Sequence, residues 1–96
     1  MTSDFTVHTT SKFDRLLHAF HRQHADIESY YAESLKILAI DPYNQSHQHH
    51  IKKLGGIPSG EGKFRLSLGR WRFRYDIFGR EVVLQYCGLR RENTYR

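Results

Sequence analysis

The sequence has one cysteine, two prolines and no apolar run of membrane-spanning length. A single cysteine excludes an internal disulfide and fits a reducing compartment, so a cytoplasmic location is expected. Cys87 ends the apolar stretch 82–87 and reads as a small buried hydrophobe rather than a catalytic thiol. No segment approaches the ~20 apolar residues of a membrane helix, and the N-terminus lacks the charged-then-apolar pattern of a secretory signal. No membrane partner is therefore expected. Repeats, low-complexity tracts and linkers are also missing. The 96 residues that remain are enough for one domain, 1–96, built on one hydrophobic core without covalent staples.

Acidic residues are scarce in the last third. From Lys63 to Arg96 there are nine Lys and Arg against three Asp and Glu, a balance of +6. The first 62 residues hold six against seven, or −1, so the +5 of the whole chain is regional. The same stretch alternates. Phe64, Leu66 and Leu68 share one face of a strand-length segment, and Lys63, Arg65 and Ser67 share the other. Trp71, Phe73, Tyr75 and Ile77 likewise oppose Arg70, Arg72, Arg74 and Asp76. If these segments pair, the cations gather on one side of a sheet and Trp71 goes to the core. Concentrated like charge is costly unless an anion sits there, and a basic stripe of this kind is the footprint expected for nucleic acid.

Periodicity supplies the rest of the organisation. Residues 5–9 read as an opening strand, with Thr10 or Ser11 as an N-cap and Asp14 near the positive end of the following helix. Phe13, Leu16, Leu17 and Phe20 form the apolar stripe of that helix. Asp26 is expected to cap a second helix with the stripe Ile27, Tyr31, Leu35 and Leu38, ended by Asp41-Pro42. A polar loop over residues 43–50 leads to Ile51-Lys-Lys-Leu54, and Gly69-Arg70 and Gly79-Arg80 are turns. The expected fold is α+β: an N-terminal strand, a two-helix hairpin, then an antiparallel three-stranded meander with helices on one face and arginines on the other.

Lys52-Lys-Leu-Gly-Gly56, Lys63-Phe-Arg-Leu-Ser-Leu-Gly69, Trp71-Arg-Phe-Arg-Tyr75 and Gly88-Leu-Arg-Arg-Glu-Asn-Thr-Tyr95, in that order, give the chain its family likeness. Over nearly its whole length it resembles the RelE/ParE superfamily of toxins from type II toxin–antitoxin systems. The resemblance implies a small fold like that of microbial ribonucleases and a cognate antitoxin protein as partner. One branch cuts messenger RNA on the ribosome; the other inhibits DNA gyrase without nuclease activity. The ribonuclease branch keeps basic residues on the sheet and an aromatic or histidine near the C-terminus. Lys63, Arg65, Arg72, Arg90 and Tyr95 match those positions, which favours a metal-independent endoribonuclease acting on ribosome-bound mRNA. Lys52, Lys53, Arg74 and Arg91 are the accompanying candidate RNA contacts.

Metal-free RNA cleavage needs a base for the 2′-hydroxyl, a proton for the leaving 5′ oxygen and charge to stabilise the transition state. Arginine stays protonated, so Arg65, Arg72 and Arg90 can clamp phosphate but not act as bases. Lys63 can serve as base if neighbouring cations disfavour its charged form. Tyr95 can stack on a base or give a proton to the leaving group. Arg65 stands where well-known nuclease members carry lysine, which removes one candidate base. Glu61 reads as a solvated turn residue. His18, His21 and His24 on the first helix, and His47, His49 and His50 in the loop, come without the Cys, Asp or Glu partners of a zinc site. No metal or other cofactor is expected, and His49 or His50 can contact RNA.

Overall fold

The computed structural model describes residues 4–90, and Thr10 opens its first helix. The Thr10 hydroxyl accepts the Phe13 amide at 3.0 Å, satisfying one of the unpaired N–H groups at the start of α1, Ser11–His21. The second helix, α2, spans Ile27–Ile40 and stops before Pro42. Asp26 precedes it but makes no side-chain cap bond, against the sequence expectation. Its carboxylate turns instead to Arg70 and to the indole N–H of Trp71, at 3.0 and 3.1 Å, so it ties the helix start to the sheet.

The strands are β1 (Thr6–Thr9), β2 (Ile51–Lys53), β3 (Phe64–Leu68), β4 (Trp71–Phe78) and β5 (Glu81–Leu89). They form one mixed sheet in the order β1-β5-β4-β3-β2. β1 runs parallel to β5, and the other neighbours pair antiparallel. This corrects the expected opening strand beside a three-stranded meander. The added strand, β2, is three residues long, and Ile-Lys-Lys is too short to show alternation. Hydrogen bonds beyond its ends hold it: Leu54 N–H to the Lys63 carbonyl, and Ser67 N–H to the His50 carbonyl.

Both helices lie on the apolar face of the sheet. Phe13, Ile27 and Leu38 from the helices meet Leu66, Trp71, Phe73, Tyr75, Val82, Leu84 and Cys87 from the strands, all fully buried. Burying one Phe or Leu contributes about 1.5–3 kcal/mol, so this layer fixes which face of the sheet turns inward. Burial pushes the Cys87 thiol up to about 12, as befits a core hydrophobe. The Tyr75 hydroxyl reaches the Pro42 carbonyl at 2.6 Å and joins the end of α2 to β4.

One irregularity decides what the other face carries. Arg74 pairs with Tyr86, yet Tyr75 pairs with Leu84, leaving Gln85 as an extra residue in β5. Strict alternation would place Val82, Leu84, Tyr86 and Gly88 on one side. The bulge shifts the phase, so Val82, Leu84 and Cys87 face the core while Tyr86 and Gly88 join the arginine face. Gln85 donates to the Asp76 carboxylate at 3.1 Å.

Candidate functional site

The face opposite the helices is an open concavity of about 870 Å³. Strand register arranges its floor in two rows. Lys52, Arg65, Arg74 and Tyr86 are successive cross-strand neighbours from β2 to β5. Ser67, Arg72 and Gly88 form the next row, with His50 beside Ser67. Like charges directly opposite one another destabilise a sheet, and here Arg65 faces both Lys52 and Arg74.

Two of the concavity's arginines, Arg72 and Arg74, are held by backbone carbonyls rather than by an acid among the described residues. Arg72 donates through Nη1 to the carbonyls of Gly69 and Trp71, both at 2.9 Å. Arg74 Nε donates to the Gly62 carbonyl at 3.2 Å. Arg65 Nε is buried and has no hydrogen-bond partner among the described residues. Burial, then the charges of Arg90 and Arg65, hold the Arg72 guanidinium below its ordinary pKa. The ion pairs among the described residues are His8–Glu81, His21–Glu28, His49–Asp41 and Arg70–Asp26, none of which includes an arginine lining the concavity. Arg70 shows the contrast. It follows the β3–β4 turn at Gly69 and spends its charge on Asp26, with its guanidinium 5.6 Å from the Trp71 ring centre.

Two built segments frame the floor. Asp41 accepts from the Gln45 and Ser46 amides and from the Ser46 hydroxyl, and these bonds hold its carboxyl below the usual range against the opposing effect of burial. Asn44 bonds both backbone groups of His49. This loop delivers His49 and His50 to the β2 side of the concavity. At the far end of β4, the buried Asp76 carboxylate accepts from the amides of Gly60, Gly62 and Lys63, each at 3.0 Å. Gly62 has φ +88°, and a Cβ there would lie 2.7 Å from that of Arg74. Only glycine allows the loop to close so tightly over β4.

Of the residues expected from sequence, Arg65, Arg72 and Arg90 line the concavity together with Lys52 and Arg74. Lys63 is not among its lining residues; its amide is bound to Asp76 at the end of β3. Lys53 shares the face of Phe64, with its ammonium 6.0 Å from that ring. Arg91 and Tyr95 lie outside the described residues. Sequence reasoning missed Tyr86 and Gly88, and it put Ser67 on the polar face without naming it a site residue. A signal for Tyr86 was present, since the apolar positions Val82, Leu84, Cys87 and Leu89 advance by two, three and two. That slip of phase is the bulge.

The arrangement is an α+β domain with helices on one face of a mixed sheet and, on the other, a cationic hollow whose arginines have no acidic partner among the described residues. Such a hollow can seat an anion, orient it by bidentate donors and stabilise charge that develops on it. Among the described residues no helix is long and apolar enough to cross a membrane, and no group of three or more His, Cys, Asp or Glu gathers as metal ligands would. Comparisons with protein-family models, curated proteins and solved structures found no match.

Proposed function

We propose that this chain is an endoribonuclease toxin of the RelE type, acting on ribosome-bound mRNA and silenced by an antitoxin protein. The observation that carries the reading is the cluster of Arg65, Arg72 and Arg90 in one open hollow, with no carboxylate paired to them among the described residues. Folding assembles this repulsion at a cost, and a phosphodiester removes it. The resemblance of the sequence to RelE/ParE toxins supplies the substrate class.

In this reading the arginines hold the scissile phosphate and offset the charge that builds in the transition state. A base takes the 2′-hydroxyl proton, O2′ bonds to phosphorus, and the P–O5′ bond breaks with its electron pair on O5′. The products are a 2′,3′-cyclic phosphate and a 5′-hydroxyl. Lys63 is not among the residues lining the hollow and the His49 imidazole turns to Asp41, so the base role passes to His50, which lines the hollow beside Ser67. An antitoxin fits the same face if it offers acidic side chains to the arginines. Its binding then weakens as salt rises.

Primer extension on a ribosome-bound message incubated with the purified protein tests the reading. Cuts by wild type that vanish with Arg72→Ala are expected. A message left intact by wild type overturns the nuclease reading. If the same protein then blocks supercoiling by gyrase, it belongs with the gyrase-inhibiting branch instead.

A further inference from the structure

The β5 bulge does more than choose which side chains face the core. It takes Tyr86 out of the apolar alternation and points it into the arginine hollow, and bulges commonly re-aim side chains beside active sites. The ring has its own built space. Gly88, two residues on and opposite Arg72, carries no side chain, and a Cβ there would lie 2.7 Å from the Tyr86 hydroxyl oxygen. The hydroxyl therefore lies over the gap beside the Arg72 strand position.

What the ring offers a ligand is this hydroxyl rather than its face. The Lys12 ammonium and the Arg74 guanidinium each stand 5.9 Å from the ring centre, so a stacking base would compete with cations already there. Unlike Tyr75, whose hydroxyl is engaged by Pro42, Tyr86 spends its hydroxyl on no described residue.

Given the nuclease reading above, on which this rests, we propose that Tyr86 is the proton donor to the leaving oxygen. In-line displacement places the entering and leaving oxygens on opposite sides of phosphorus. His50 flanks the arginines from the β2 side, and Tyr86 flanks them from β5. A base on the first side needs an acid on the second, and arginine gives up its proton too reluctantly to serve. As the P–O5′ bond breaks, the Tyr86 hydroxyl proton passes to O5′. The phenolate left behind recovers a proton from water.

The test compares wild type with Tyr86→Phe, which keeps the ring. Two RNAs are used: an ordinary one, and one with sulfur replacing the bridging 5′ oxygen at the cut site mapped for wild type. Sulfur leaves without protonation. Tyr86→Phe should cut the ordinary RNA about a hundredfold more slowly, yet cut the sulfur-bridged RNA within about tenfold of wild type, with an unchanged unfolding midpoint. Cleavage of ordinary RNA at the wild-type rate, or an equal deficit on both substrates, overturns the assignment and leaves the nuclease reading standing. Wild type that cuts neither RNA overturns the nuclease reading itself.

Discussion

Tyr86 stands opposite Arg74 across β4 and β5, while Leu84 stands opposite Tyr75, and Gln85 between them has no partner residue. Two neighbouring residues of β4 thus face three of β5. The polar face and the core are both set by this one extra residue, which makes its removal informative.

Deleting Gln85 should leave a regular strand in which Leu84 still faces inward and Tyr86 still faces the arginines. The loss is the Gln85 bond to Asp76, worth about 1.5–3 kcal/mol for a charged acceptor. Deleting Leu84 instead should remove a core side chain and unfold the domain. Alkylation of Cys87 at pH 8 reads both. The buried thiol should stay unreactive without Gln85 and become reactive without Leu84.

Asp76→Ala should be among the most damaging single changes outside the apolar core. It leaves the Gly60, Gly62 and Lys63 amides without their acceptor, and the Gly62 amide bond is buried. A loss of about 3–5 kcal/mol in urea unfolding is expected. A loss below about 1 kcal/mol would mean the loop holds its shape without the carboxylate.

Arg65→Met should raise stability while lowering RNA affinity. The substitution removes a charge that faces Lys52 and Arg74 and whose Nε is buried without a partner among the described residues. A gain of about 1 kcal/mol is expected at low salt, shrinking as salt screens the repulsion. RNA binding should fall about tenfold or more, the usual worth of a charged contact to phosphate. A variant both less stable and equally good at binding would remove Arg65 from the site.

Asp26 links stability to pH. Hydrogen bonds from Arg70 and then Trp71 hold its carboxyl below the ordinary 3.8. A lowered carboxyl favours the folded state above its unfolded pKa and loses that effect as pH falls through the folded value. Wild type should therefore exceed Asp26→Asn in stability at pH 6, with the gap closing as pH drops below 3.8. Fluorescence of Trp71, the one tryptophan, follows both unfolding curves.

The two helices and the long strands were legible because their apolar residues recur at 3.6 and 2 over enough positions to be read. Arg65 and Arg72 could be placed on one face for the same reason, whereas Arg90, past the end of β5, was named only through the likeness to RelE/ParE toxins. β2 could not be read, because three residues cannot display a period. Asp26 was misread as a cap because a carboxylate before a helix has that local use. Its actual partners, Arg70 and Trp71, stand 44 and 45 residues away. Lys63 precedes β3 and is not among the residues lining the hollow, since alternation gives a side and not a distance along it.

Gly88 lies in an ordinary strand conformation, so no backbone requirement calls for glycine there. The demand comes from Tyr86, whose ring fills the place a side chain would take. Two positions thus behave as one heritable unit. In any lineage descended from this chain, a change at Tyr86 to a small residue frees position 88 to accept alanine or serine, and while the aromatic persists a side chain at 88 must push its hydroxyl end aside.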